Sequence, residues 1–200
     1  MKRILNPGIE LYLKDVILPD LDNGRPDWDR LHTVAVVHYV RQIIKSLEKP
    51  QIDETVLIIS AYLHDWGYTS LFRKGKPVSY DRVQKAKKLH AVLGKEKAAG
   101  LLKKAVFSKL TETQKKRIVH LVGIHDELHR LKAQDELILM EADTLGALDS
   151  DFVKPTYDYD SHKKYIRELK KSRLPLFVTP YSKTQARVLL KKRMLFLLRF

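Results

Sequence analysis

The dipeptide His64-Asp65 closes an apolar run, Val56-Leu57-Ile58-Ile59-Ser60-Ala61-Tyr62-Leu63. An ionised carboxylate is costly to bury unless it is paired or holds a metal. A charged pair at the end of a buried helix therefore asks for a chemical reason. Further candidate ligands stand along the chain: His32 upstream, and His90, His125 and Asp143 downstream, each in an apolar, helix-like segment. Imidazole and carboxylate groups drawn from several helices are how a helical protein builds a transition-metal site. Neighbours on a regular helix point about 100° apart, so His64 and Asp65 can share a centre only where the helix ends. Trp66-Gly67 supplies that end, and there Asp65 is able to give one oxygen to each of two ions. An acid at a helix C-terminus is disfavoured by the helix dipole, which again calls for positive charge beside it.

The other candidates compete with near neighbours. His32 is followed by Val36 and Tyr39 at i+4 and i+7, an apolar face. Asp143 has Leu139 and Ala147 at i−4 and i+4 and falls on a buried stripe, whereas Glu141 falls nearly opposite. His90 interrupts Lys88-Leu89-His90-Ala91-Val92, and His125 ends Ile118-Val119-His120-Leu121-Val122-Gly123-Ile124-His125. His120 and His129 compete with His125 for its role, and His125 and His129 at i, i+4 could chelate a metal alone.

The elements that must position these residues read as helices almost throughout, which predicts an all-α fold, a compact single-domain helical bundle over 1–200. Asp20 to Pro26 reads as a loop by its turn residues. Asp27 reads as the N-cap of a helix to about Leu47, with Leu31, Val34, Val37, Val40 and Ile44 on one face and Lys49-Pro50 as its stop. Asp53 caps the next helix, which ends at His64-Asp65-Trp66-Gly67. Arg73-Lys74-Gly75-Lys76-Pro77 is a second loop. Helical patterns follow from Tyr80 to Ala105, interrupted near Gly94; from Thr111-Glu112-Thr113-Gln114 to His125; and from Asp135 to Asp149. After a polar loop over 151–160 containing Pro155 comes a helix near His162–Lys170, broken at Leu174-Pro175. A last amphipathic helix runs from Ser182 to about Leu198.

The 200 residues contain no Cys. That excludes disulfides, zinc–cysteine sites and a cysteine nucleophile, so any metal must be held by His, Asp or Glu. Basic residues near the amino terminus, Met1 to Gly8, have no long apolar stretch behind them, which does not read as a signal peptide. No apolar run approaches the ~20 residues of a membrane span. A cytoplasmic protein without a membrane partner is expected. The net charge of +14 is uneven. Residues 82–117 hold twelve Lys/Arg against two acids, and 161–200 hold twelve against one, while 118–160 reverse the balance with ten acids against three bases. One face could attract anionic substrates or nucleic acid. The lysines lie at helical spacing, without the aromatic-rich strands of an RNA-binding sheet, which favours a solvated surface over nucleic acid.

The order His32, then His64-Asp65, then Asp143 resembles the HD-domain superfamily of metal-dependent phosphohydrolases. Three local contexts carry the likeness: Ala61-Tyr62-Leu63-His64-Asp65-Trp66-Gly67-Tyr68, Leu89-His90-Ala91-Val92-Leu93-Gly94 and Met140-Glu141-Ala142-Asp143-Thr144-Leu145. The resemblance spans about 27–149 and leaves 150–200 as a C-terminal helical extension. It implies one metal held by His32, His64, Asp65 and Asp143, and a second held by Asp65 as a bridge with His90 and His125. The implied cofactors are one or two divalent ions (Mn, Fe, Mg, Ni or Zn), with Asp65 the catalytic residue. A large phosphodiesterase subgroup has Lys where this chain has Tyr68, so cyclic-dinucleotide hydrolysis is not implied.

The implied activity is hydrolysis of a nucleotide or other small phosphate ester, in which a divalent ion acidifies water and neutralises phosphoryl charge. Arg73, Lys74, Lys76, Arg82, Lys85 and Lys88 are the nearby cations available to clamp phosphate, with Arg82 and Lys85 the substrate-binding candidates. Tyr68 and Asp126 are supporting groups. Two other classes fit the same ligands: a di-iron oxygenase, and a nucleic-acid-binding or regulatory protein with a vestigial site.

Overall fold

Ile9, Leu13, Ile17 and Leu21 recur every fourth residue, and all are buried. They wind as α1 (Pro7–Tyr12), a π-helical turn (Leu13–Ile17) and α2 (Leu18–Leu21). A strict four-residue repeat outruns the 3.6-residue turn, and the wider π-turn keeps the four side chains on one face. The loop expected from Asp20 therefore begins only after Leu21. The computed structural model describes residues 5–48, 51–73, 76, 78–154 and 156–197. The expected Lys49-Pro50 stop, Lys74, Gly75, Pro77, Pro155, the helix end at Leu198 and residues 1–4 lie outside the described residues. All regular elements among the described residues are helical, which makes the fold all-α.

Asp27 does not cap α3 (Asp29–Ser46). It takes a φ of 55°, and Trp28 holds the cap position without a side-chain cap bond. Arg25 turns the chain instead: Asp29 accepts from its backbone N–H and from its Nε, both at 2.5 Å. Of the apolar face expected for α3, Val37, Val40 and Ile44 are buried, and the first turns differ. Leu31 and Val34 are 46% and 37% exposed, and His32 and Val36 are buried in their place. α4 (Glu54–Leu63) starts as expected, with Asp53 accepting from the N–H groups of Thr55 and Val56 at 3.0 and 3.2 Å. Every residue from Thr55 to Leu63 is buried. Full burial of Leu57, Ile59 and Leu63, worth roughly 1.5–3 kcal/mol each, fixes α4 at the centre.

α5 (Tyr80–Leu101) runs without the break expected at Gly94. A capping box of Thr111 and Gln114 starts α6 (Glu112–Ile124). Then come α7 (Gln134–Leu148), α8 (Tyr159–Glu168) with a π-turn at Leu169–Arg173, and α9 (Pro180–Leu197). α3 packs on α7, α4 on α3 and α6, α5 on α6 and on the 3-10 turn Trp66–Ser70, and α9 on α7. A Cβ at Gly146 would lie 3.0 Å from Val36 Cγ2 and 3.2 Å from Val36 N. That close approach of α7 to α3 brings Asp143 beside His32. No described helix is long and apolar enough to cross a membrane.

Candidate metal centre

α4 stops at Leu63 because Asp65 leaves the helix with φ −100° and ψ 5°, in the bridge region where many active-site residues sit. His64 still has helical torsions, so one turn of backbone aims both side chains inward. His64 Nδ1 lies 2.8 Å from Ala61 O, and His125 Nδ1 lies 2.9 Å from Val122 O. A ring N–H given to a carbonyl leaves Nε2 for the centre. α3 supplies His32, α5 His90, the end of α6 His125 and α7 Asp143. All six expected ligands converge, and all are buried.

They form two groups joined by Asp65. His32 Nε2 is 2.9 Å from Asp143 Oδ1 and 3.3 Å from His64 Nε2. Asp65 Oδ2 faces this group, 3.4 Å from His64 Nε2 and 3.7 Å from His32 Nε2. The other oxygen, Oδ1, faces the second pair, 3.4 Å from His90 Nε2 and 3.6 Å from His125 Nε2. The two Nε2 atoms of that pair are 3.3 Å apart. Within each of the sets His32–His64–Asp143 and Asp65–His90–His125, the ligand atoms lie within 4.8 Å of one another. Bonds near 2.0–2.2 Å let one ion reach such a set.

The charges around the centre test whether it suits a cation. Burial pushes the His64 imidazolium down, but the adjacent Asp65 reverses this and holds it up at about 9. Burial also opposes ionisation of Asp65 and Asp143; His64 and Arg25 hold the first well below the usual carboxylate range, and Arg173 and His32 the second. Burial lowers His32 and His90 despite nearby carboxylates. The carboxylates thus gather a proton and two guanidinium groups, and the mixed imidazole–carboxylate donors suit a divalent metal.

The cations are not those expected. Arg82 and Lys85 are exposed on α5 and do not line the cleft. Arg25, Lys87 and Arg173 line it. Arg25 Nη2 donates to Asp65 Oδ2 at 2.6 Å while its Nε remains on Asp29. Arg173 Nη2 donates to Asp143 Oδ2 at 2.6 Å and Nη1 to Asp126 Oδ1 at 3.2 Å. Lys87 Nζ is 3.9 Å from the same Asp126 oxygen. Burial opposes ionisation of Asp126, but Lys87 and Arg173 hold its carboxyl low. Tyr68 lies under the site, stacked on His90 with ring centroids 4.0 Å apart and carrying the Arg25 guanidinium 4.2 Å from its ring.

The competing residues lie elsewhere. His120 pairs with Glu136 at 2.9 Å, and His129 is exposed. Glu141 is buried away from the centre, where it accepts from Val178 N–H, from Thr179 N–H at 3.0 Å and from the Thr179 hydroxyl. Gly67 sets the position of His90: a Cβ there would stand 1.9 Å from His90 O and 2.7 Å from Gly94 N. A family model described as HD domain matches residues 31–148. Comparisons with curated proteins and with solved structures find no match.

Proposed function

The chain belongs to the HD-domain family, and from that premise we propose that its buried His/Asp cluster is the centre of a metal-dependent phosphohydrolase acting on a nucleotide or another small phosphate ester. The observation that carries this reading is Asp65, whose two oxygens address separate histidine pairs. His32, His64, Asp143 and Asp65 Oδ2 would hold one divalent ion, and Asp65 Oδ1, His90 and His125 a second. When bound, such ions supply Lewis acidity, lowering the pKa of water from about 16 toward roughly 7 and neutralising phosphoryl charge.

The chain's own groups do the rest. Arg173 and Lys87 line the cleft with N–H donors suited to phosphoryl oxygens, whose negative charge in the transition state is stabilised chiefly by charge and position. Asp126 holds both cations in place. Trp28, Tyr157 and Tyr165 wall the cleft and restrict water. Arg25 and Arg173 both fall outside the matched residues 31–148, so the segments flanking the matched region complete the charge balance of the site.

The test is elemental analysis of the purified protein, followed by hydrolysis of phosphate esters with added Mn²⁺ by wild type, Asp65→Ala and the exposed control Lys171→Ala. Metal in the wild type and loss of hydrolysis in Asp65→Ala alone is the expected result. Hydrolysis by Asp65→Ala at the level of the control would refute the assignment. Bound iron with a visible absorption band and no hydrolysis would favour oxygenase chemistry.

A further inference from the structure

α5 and α6 pack against each other, and two hollows of about 690 and 410 Å³ lie along their contact. Lys95 and His120 line both, so the hollows form one groove. It follows α5 from Lys87 to Lys103, about 24 Å of helix at 1.5 Å per residue. We propose that this groove is the docking site for an acidic amphipathic helix of a partner protein.

The sequence carries a seam on each wall. Along α5 and its cap the lining recurs at Lys88, Val92, Lys95, Ala99 and Leu102, and along α6 at Glu112, Lys116, Val119 and Gly123. Both rows step by four and three residues in turn, the period with which one helix presents a seam to another. Within the bundle such seams are covered, but here Val92 is 52% exposed. The floor is apolar: Ala91, Leu102 and Ile124 are buried beneath it. The Lys95 stem lies over Gly123, where a Cβ would stand 3.2 Å from its Cδ. A lysine laid down in this way covers apolar surface and keeps its charge in water. An amphipathic helix seated on an apolar floor is a recurring mode of peptide recognition.

The charges set the sign of the occupant. Seven Lys/Arg line the two hollows against three acids. Each acid already has a cation: Glu112 has Lys115 at 2.9 Å, Glu127 has Arg130 at 2.8 Å and Asp126 has Lys87 at 3.9 Å. Lys88, Lys95 and Lys103 have no carboxylate partner among the described residues, and carboxylates flanking the partner's apolar stripe would supply one to each. No Phe, Tyr or Trp lines the groove, so it lacks the stacking faces that hold single-stranded nucleic acid. The chain's own acidic stretch offers no free helix, because α7 is buried from Ile138 to Leu148; a second copy therefore does not fit. Lys87 and Asp126 line both the groove and the metal cleft, so a docked helix would end against the cleft wall.

The probe is a labelled peptide of sixteen residues, about 24 Å as a helix, with Leu at the four-and-three period and Glu on both flanks. Its scrambled isomer has the same charge and composition without the seam. Binding of each to the full chain is read by fluorescence anisotropy, with a sixteen-nucleotide RNA as a third probe. Wild type is expected to bind the patterned peptide more tightly than the scramble or the RNA. Lys95→Glu should weaken it by about 2- to 30-fold, twice the worth of one exposed ion pair. Val92→Asp should weaken it by about 10-fold or more, the loss of a buried valine. Both positions are exposed, so both variants should melt with the wild type, and the control Lys171→Ala should bind like it. No binding of the patterned peptide overturns the inference, as does equal binding of its scramble or unchanged affinity in either variant. Tighter binding of the RNA than of the patterned peptide would overturn the inference in favour of a nucleic-acid partner.

Discussion

Arg25→Gln separates the two tasks that Asp65 performs. Arg25 Nη2 sits 2.6 Å from Asp65 Oδ2, the oxygen that also faces His32 and His64. An ion entering that group must share or displace the guanidinium. Breaking a buried ion pair by removing one partner costs about 3–5 kcal/mol, and Arg25 serves both Asp65 and Asp29, so metal-free stability should fall by that order. An added ion supplies the missing positive charge. Mn²⁺ should therefore bind Arg25→Gln more tightly than wild type, by about 5- to 150-fold if the coupling is of ordinary size. Mn²⁺ should also recover more of the variant's unfolding free energy than of the wild type's. Urea unfolding in chelator and in excess Mn²⁺, with calorimetric titration of both proteins, reads these quantities. Equal or weaker Mn²⁺ affinity in Arg25→Gln would refute the claim that Arg25 competes with a metal for Asp65.

Arg173→Gln should act with the opposite sign, because Arg173 holds Asp143 Oδ2 and thereby turns Oδ1 toward His32. Loss of such an outer partner typically weakens metal binding 10- to 100-fold, measurable in the same titration. Gly67→Ala should unfold the protein or abolish metal binding, since its Cβ would stand 1.9 Å from His90 O; a normal melting temperature and full metal content would contradict the packing described. His64 is held up at about 9 against about 6.5 unfolded. Its contribution to metal-free stability is therefore complete below pH 6.5 and is lost as pH rises through 9. A metal must displace that proton, so Mn²⁺ affinity should rise toward pH 9, with proton release seen by calorimetry in buffers of differing ionisation enthalpy. No proton release at pH 7–8 would show that His64 binds no ion.

The six converging residues were legible because each breaks a local rule: a polar group on an apolar helical stripe, or an acid at a helix C-terminus. Such violations are visible one helix at a time. The cations were not. Arg25 lies among turn residues and Arg173 in a run of surface bases, and neither position differs in pattern from solvated neighbours. Arg82 and Lys85 lie close in sequence to His90, but α5 turns them outward and presents Lys87 to the cleft instead. On α3 only Leu31 and Val34 miss the core, because packing against α7 buries His32 and Val36 in the first turns. The helical fold itself followed from periodicity, except at the amino terminus, where a repeat of four is ambiguous until its partners are known.

Glu141 grips the backbone at Val178 and Thr179, while Arg173, a few residues earlier, holds Asp143 on the opposite side of α7. The centre also joins His32 to Asp143 across 111 residues. During synthesis the ribosome delivers chain at about 5–20 residues per second, and contacts this distant in sequence form slowly. The ligands on α3, α4 and α5 emerge long before the segment that orients Asp143. The group around Asp143 is therefore completed only once residues 173–182 have emerged, whereas Asp65, His90 and His125 need nothing from that segment.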